Sequence, residues 1–186
     1  MKLTDLTLYF YIFFICLLTV VHVRSSNLHA EAVNNIMYNN VMDGIVEDAL
    51  RAGYKKIDSH GYPVVELDEV KRCFIAEKAL YGSTDRHILI YVDNDGFFLW
   101  DSEVSPEWSD KHIFSEGENT LHQQKVYELI EYVEAGFNVT LSLPSNDGES
   151  MQNTVDEYSL LCMSFNRSYE VNCFSGAKIH EIVKRQ

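Results

Sequence analysis

Between residues 60 and 87 the chain carries side chains that could transfer protons and neutralise a phosphate. These side chains are His60, Glu66, Glu69, Arg86 and His87. A carboxylate or an imidazole can act as a base, an imidazolium as an acid, and an arginine can balance charge on a transferring phosphate. The flanking residues argue against such a site, because strand alternation turns Glu66 away from Val65 and Leu67, towards solvent. His87 begins a predicted strand, which indicates a polar edge residue rather than an acid catalyst.

Other common catalytic and ligand-binding patterns are missing from the sequence. The histidines are scattered, and no Cys-x-x-Cys or His-x-x-x-His occurs. No glycine-rich phosphate loop and no Gly-x-Ser-x-Gly turn is found either. We therefore expect neither a metal site nor a cofactor.

The segment from Ser59 to Ser102 has the pattern of a strand meander. Its apolar runs are Val64-Val65 with Leu67, Cys73–Ala76, His87–Val92 and Phe97–Trp100. Between the last two runs stands Asp93-Asn94-Asp95-Gly96. Asn and Asp tolerate left-handed backbone and Gly adopts it readily, so this tetrapeptide predicts a hairpin loop.

Helices are predicted on both sides of this meander. Apolar residues recur at spacings of three and four over residues 32–50, where Ala52-Gly53 supplies a stop, and again over 121–135 with Gly136 as the stop. Residues 108–118 are expected to be irregular, and strands are predicted at 137–143, 158–165 and 169–174. Each helix is followed by Ala-Gly and an aromatic residue, which leaves a degenerate repeat open. The simpler expectation is one extended domain whose C-terminal strands join the first sheet.

The N-terminus has the composition of a signal peptide. Lys2 gives a basic start, Leu8–Val21 is almost purely apolar, and Arg24-Ser25-Ser26 ends the run. This apolar run is shorter than the roughly 20 residues that span a bilayer, so we expect cleavage after Ser25 and a secreted product. The alternative is a signal anchor.

The mature chain would be strongly acidic. Removing residues 1–25 leaves 13 Lys and Arg against 27 Asp and Glu, a net charge of −14. Proteins that grip phosphate backbones rely on clustered cations, so the charge argues against a general nucleic-acid binder. A local basic groove from Lys55-Lys56, Lys71-Arg72 and Arg86-His87 remains possible, beside the simpler reading of scattered surface cations.

Three cysteines remain after the signal segment, so at most one intramolecular disulfide can form. If Arg167-Ser168 is a hairpin loop, Cys162 lies opposite Cys173, and a Cys162–Cys173 disulfide is one expectation. Cys73 would then be a small buried residue of its strand; the alternative pairs Cys73 with Cys173. Asn138 and Asn166 each begin an Asn-x-Ser/Thr glycosylation sequon.

The order of residues in the meander resembles the ribonuclease-like secreted effectors of powdery mildew fungi, a group related to the small fungal guanyl-specific ribonucleases. The matching stretches are His60-Gly61-Tyr62-Pro63, Val70–Ile75, Asp85-Arg86, Ile88–Tyr91, Asp95–Phe97 and Asp101-Ser102. The resemblance covers residues 59–102. It implies an α+β fold in which an N-terminal helix packs on an antiparallel sheet of the small microbial ribonuclease type. Residues 26–118 would form this domain, and residues 119–186 a helix-plus-strands extension.

The resemblance also implies that catalysis has been lost. The similar enzymes have a His after Tyr-Pro, where this chain has Val64, and a Glu where it has Lys71 or Arg72. Their second His falls at Trp100–Ser102, which contains no imidazole. Only Arg86, which follows Asp85, matches a catalytic position of these enzymes. It is either a remnant of the site or a surface partner for Asp85.

The resemblance therefore predicts a pseudoenzyme that suppresses plant immunity by binding a host protein or host RNA, and the acidity favours a protein. A candidate groove for the partner would contain His60, Tyr62, Arg72 and Arg86. Phe97, Phe98, Trp100 and Trp108 could anchor a partner or pack in the core. The alternatives are an active secreted ribonuclease with rearranged acid and base, and a glycosylated extracellular structural protein.

Overall fold

A computed structural model describes residues 3–81, 85–115, 122–137, 157–165 and 171–184. The chain divides into two compact units, Met1–Tyr38 and Asn39–Gln186. The elements in order are α1 (Leu3–Gly53), β1 (Tyr54–Ile57), β2 (Pro63–Val65), α2 (Leu67–Leu80), β3 (Arg86–Val92), β4 (Gly96–Asp101), β5 (His112–Ile113), α3 (His122–Phe137), β6 (Ser159–Phe165), β7 (Val171–Lys178) and α4 (Ile179–Lys184).

Helix α1 changes character along its length. From Tyr11 to Ala30 its side chains are exposed and largely apolar, and this stretch is long and apolar enough to cross a membrane. A signal sequence near an N-terminus meets the same criteria. From Met42 to Leu50 the apolar side chains recur at helical spacing and are buried. The helix ends at Gly53, as its sequence predicts.

The expected second strand of the meander is wrong, because Cys73–Ala76 lies within helix α2. The helical period explains the difference: Val70 and Phe74, four residues apart, are the buried residues of this helix. Asp68 and Glu69 in the first turn and Lys78 in the last turn also suit the helix dipole. Glu66 consequently precedes a helix and is not an alternating strand residue.

Strands β3 and β4 form the predicted hairpin, with Val92 opposite Phe97 across the turn. The C-terminal strands join the same sheet, because β6 pairs antiparallel with β3. The order is β5-β4-β3-β6-β7, while β1 and β2 form a separate two-stranded sheet. The α+β class with helices on an antiparallel sheet is thus confirmed.

Helix α3 covers one face of the five-stranded sheet, called here the α3 face. Its core cluster joins the α3 residues Val126, Leu129 and Val133 to strand residues of β3, β4 and β6. Those strand residues are Ile88, Ile90, Val92, Phe97, Leu99, Leu161, Met163 and Phe165. Each strand contributes alternate residues, as the period of a strand requires.

The alternate residues of the same strands form the opposite face, called here the α2 face. Phe74 of α2 contacts His87 and Trp100 in edge-to-face ring arrangements, with centroids 5.5 and 6.2 Å apart. Asp43 of α1 bonds to the side chain of Ser175 on β7. Because helices cover both faces, β3 and β6 are buried along nearly their whole length.

Three short elements were not predicted, and the first is β1, which follows α1 directly. Strand β5 comprises only His112 and Ile113, within a stretch expected to be irregular, and α4 follows β7 directly. Strand β7 also extends to Lys178, four residues beyond the prediction. The strand predicted at residues 137–143 falls almost entirely outside the described residues; Phe137 itself ends α3.

Candidate functional site

Arg86, the one residue for which the resemblance predicts a match to a catalytic position, lies at the start of β3 and is buried against Asp101 of β4. Its Nε donates to both carboxylate oxygens of Asp101 at 3.1 Å, and its Nη2 donates to Oδ2. The Asp101 Oδ1 atom also accepts from the backbone N–H of Glu103 at 3.0 Å. The two side chains are 11% and 5% exposed. The prediction of a surface arginine is therefore wrong.

His87 is also buried, contrary to the expectation of an edge residue. Strand β3 lies between β4 and β6 and is therefore not an edge strand. The His87 side chain contacts Phe74 of α2 and has no exposed surface. Its Nδ1 lies 3.0 Å from the hydroxyl of Ser164 on β6, in a hydrogen bond. Burial, with a smaller contribution from Lys78, lowers the pKa of His87 to about 3. The ring is neutral at pH 7 and holds no proton to donate to a leaving group.

Within the described residues, two buried nitrogens lack a hydrogen-bond partner, and both belong to the α2 face. They are Nε2 of His87 and Nε1 of Trp100. Both rings contact Phe74. Burying a polar group without a partner costs stability, and burial of the His87 ring favours its uncharged form.

The loop between β1 and β2 positions His60 and Tyr62. Asp58 accepts the backbone N–H groups of both residues on Oδ1, each at 2.8 Å, and these bonds lower the pKa of Asp58. The His60 side chain is 77% exposed. The Tyr62 ring lies 6.3 Å from that of Tyr158, which precedes β6. These two predicted residues share one loop.

The four predicted groove residues do not gather on one surface. Arg72 lies on α2 and donates to Glu69 one turn earlier, whereas Arg86 points to the α3 face of the sheet. The two arginines therefore lie on opposite sides of the sheet. His60 and Tyr62 contribute to neither ion pair.

Lys55, Lys71 and Arg72 of the predicted basic pairs each lie beside a carboxylate. Lys55 lies 3.2 Å from Glu66, and Lys71 lies 3.0 Å from Asp68. Lys71 also donates to the carbonyl of Pro106 at 2.8 Å. These contacts oppose the gathering of free cations that binding to a phosphate backbone requires.

The aromatic residues considered as anchors divide between the core and the surface. Phe97 and Trp100 are buried on opposite faces of the sheet, whereas Phe98 and Trp108 are partly exposed. Trp108 is held by a bond from its Nε1 to the carbonyl of Leu67 at 2.9 Å. Core packing therefore accounts for Phe97 and Trp100.

The expected opposition of Cys162 and Cys173 is wrong. Cys162 pairs with Ser175, and Cys173 pairs with Ser164, so the two cysteines are diagonal neighbours. Diagonal Cα atoms lie about 7–8 Å apart, beyond the usual reach of a disulfide. Cys73 lies on α2 rather than in a strand, and burial raises the pKa of its thiol. Asn138 and Asn166 lie outside the described residues.

The sequence analysis assigned no polar contact to three contributors, which are Asp101, Ser164 and Lys125. Asp101 could have been found by counting from the hairpin loop, which sets it opposite Ile88 and diagonal to Arg86. Ser164 lies 77 positions from His87, and no local pattern indicates that pairing. Lys125 is nearly buried on α3, where it donates to the carbonyl of Asn94 and to Glu157.

The described residues contain no group of three or more His, Cys, Asp or Glu side chains arranged to hold a metal ion. The chain matches no protein-family model, and the curated proteins and solved structures offer no match either. The arrangement at the start of β3 is therefore interpreted from its own geometry: an arginine paired with Asp101 and a neutral, buried histidine on the opposite face of the sheet.

Proposed function

We propose that the mature chain is a secreted effector that acts by binding a host protein and that does not cleave RNA. The chain would derive from a ribonuclease-like ancestor of the kind found in powdery mildew fungi. The β3–β4 hairpin supports this relationship, since Asp85-Arg86, Ile88–Tyr91, Asp95–Phe97 and Asp101-Ser102 fall on it or beside it in the required order. The finer assignment, a sheet of the small microbial ribonuclease type, belongs to this proposal. Because helix α2 stands where the resemblance predicted a strand, the structural support for the resemblance is limited to the β3–β4 hairpin.

The ion pair between Arg86 and Asp101 is the observation that carries the proposal. A phosphate would have to displace a carboxylate that makes several hydrogen bonds to the guanidinium, at a side chain only 11% exposed. An arginine held in this way contributes no free positive charge to a transition state. Stabilisation of the sheet is the role that this geometry supports.

Neither His87 nor His60, the two histidines considered as acids, is placed to act beside Arg86, which supports the same conclusion. General acid catalysis requires a group that is protonated at the working pH and can reach the leaving oxygen. His87 is buried and neutral at pH 7. His60 is accessible, but it lies on the loop between β1 and β2. These two strands form a separate sheet from the one that contains Arg86.

Charge favours a protein partner over RNA. The mature chain has a net charge of −14, and Lys55, Lys71 and Arg72 are each beside a carboxylate. Such a surface repels phosphate at low salt and attracts basic protein surfaces.

Secretion remains part of the proposal, with cleavage after Ser25. The exposed apolar stretch Tyr11–Ala30 of α1 supports it, because signal sequences share this length and composition. Fusing residues 1–30 to a reporter enzyme tests this point: reporter in the medium, with a new N-terminus at Ser26, is the expected result. Reporter retained in membranes would favour the signal anchor.

The test of the binding function starts from purified residues 26–186 incubated with total plant RNA. We expect intact RNA, and no RNA binding that survives moderate salt. Arg86→Ala, checked for folding by circular dichroism, serves as the matched variant. RNA cleavage by the native chain that is lost in a folded Arg86→Ala would refute the proposal and establish an active ribonuclease. Salt-resistant RNA binding without cleavage would assign RNA as the partner.

A further inference from the structure

Strand β7 forms one edge of the five-stranded sheet in the part of the chain that is described. It pairs with β6 along one side and is eight residues long. The opposite edge strand, β5, has only two residues. Natural sheets protect their edges with short strands, charges or prolines, because an open edge can accept another strand. The short length of β5 protects its edge, whereas the eight-residue length of β7 does not.

The hydrogen bond after β7 shows which backbone groups face outwards. The N–H of Ile179 donates to the carbonyl of Tyr158, which precedes β6, at 3.1 Å. In an antiparallel ladder, alternate residues direct their N–H and C=O groups to the same neighbour. Ala177 and Ser175 therefore direct theirs to β6, and Gly176 between them directs its groups away from β6.

Burial along β7 alternates with the two faces of the sheet. Ser175 and Ala177 are 2% and 6% exposed, whereas Gly176 between them is partly exposed. Glycine has no side chain, so the exposed surface of Gly176 belongs to backbone atoms. Backbone atoms of Gly176 therefore reach the surface, whereas the side chains of Ser175 and Ala177 beside it are buried on the α2 face.

The chemistry of an open edge selects the kind of partner. Outward N–H and C=O groups recurring at every second residue are matched by another extended backbone, the mode of recognition by strand addition. β7 carries a single charged residue, Lys178, and the mature chain a net charge of −14. Two copies of this chain would repel each other, whereas a basic segment would be attracted.

We propose that an extended, basic segment of a partner protein adds to the outer edge of β7 as a further strand, next to Gly176. This inference rests on the proposed function, since it specifies how the host protein would be held. Main-chain hydrogen bonds would supply most of the contact, and charge would select the segment.

Amide hydrogen exchange measured by NMR tests the open edge in the free protein. We expect the Gly176 amide to exchange about 100-fold faster than those of Ser175 and Ala177, whose N–H groups bond to β6. Equal protection of the three amides in the monomer would overturn the inference. Protection of Gly176 that rises with protein concentration, together with dimers in sedimentation, would assign the edge to a second copy and also overturn it.

A peptide of alternating Lys and Val, as long as β7 and capped at both ends, tests the partner chemistry. Its control has the same sequence and charge but carries a methyl group on every backbone nitrogen, so that it cannot donate along the ladder. The first peptide should slow exchange at Gly176 about 10-fold and the control should not. Equal effects of the two peptides would show that charge alone accounts for the interaction, and would contradict strand addition.

Two variants of the protein complete the test. Gly176→Ala keeps the outward N–H and should retain peptide binding, whereas Gly176→Pro removes it and should lose binding. Exchange at Leu89 in β3 reports whether each variant is folded. Binding retained by a folded Gly176→Pro would overturn the inference. RNA cleavage, by contrast, would refute the proposed function and leave these exchange results unchanged, so the two failures are distinguishable.

Discussion

Arg86 on β3 and Asp101 on β4 form a bidentate ion pair on the α3 face of the sheet, with both side chains nearly buried. The pair joins two neighbouring strands. Removing one partner of a buried pair leaves the other charge desolvated and unpaired, which is far more costly than losing an exposed pair.

Asp101→Ala should therefore lower the free energy of unfolding by about 3–5 kcal/mol, since it leaves the Arg86 guanidinium without its carboxylate. Glu69→Ala is the matched control. It removes the partner of Arg72, whose side chain is 74% exposed, and should cost at most about 1 kcal/mol. Urea denaturation of the three proteins gives both values. Similar losses in the two variants would show that burial does not distinguish these pairs.

Stability should fall as the pH drops from 7 to 5 because of His87. Its pKa is about 3 in the folded chain and 6.5 in the unfolded one. Between these values the unfolded chain binds more protons, so the stability is present above pH 6.5 and is lost as the pH falls. Around His87 stand the Phe74 ring and Lys78 of α2 and the Ser164 hydroxyl of β6.

The expected loss between pH 7 and pH 5 is about 2 kcal/mol, measured by urea denaturation at the two values. His87→Phe removes the titrating group and should reduce that difference, whatever its effect on stability at pH 7. An unchanged difference in the variant would assign the pH dependence to other groups. For a direct reading, the NMR signals of the His87 ring should stay constant over this range.

Glycine at position 96 is required by the approach of β5. A Cβ there would lie 2.2 Å from the carbonyl oxygen of His112, which is backbone and cannot rotate away. Gly96→Ala should cost about 1–3 kcal/mol through displacement of β5. Gly44→Ala is the control, because nothing lies within 4 Å of a Cβ at that helical position, and it should stabilise by up to about 1 kcal/mol. Thermal melts compare the two, and a tolerated Gly96→Ala would show that β5 is easily displaced.

The mature protein should contain no disulfide between Cys162 and Cys173. Their diagonal register sets the Cα atoms about 7–8 Å apart, further than a disulfide usually spans. Alkylation under denaturing, non-reducing conditions followed by mass spectrometry counts the thiols. A mass two hydrogens short, with the two cysteines in one cross-linked peptide, would contradict this register.

The sequence by itself determined the elements whose signals are local. The alternation and turn chemistry of Asp93–Gly96 predicted the β3–β4 hairpin, and the helical spacing with its glycine stop predicted the end of α1 at Gly53. Helix α3 was predicted in the same way. These signals suffice because hydrogen bonds and turn geometry within a few residues decide them.

The tertiary structure decided the rest, because the deciding contacts are distant along the chain. The apolar run Cys73–Ala76 is compatible with a strand, and burial of Val70 and Phe74 against the sheet makes it a helix. His87 looked like an edge residue until β6, more than 60 residues later, paired with β3 and enclosed it. Arg86 likewise acquired its role from Asp101 across the hairpin. Local sequence sets which backbone is favourable, whereas burial depends on which strands meet, and here burial determines whether a charged or titrating side chain can act.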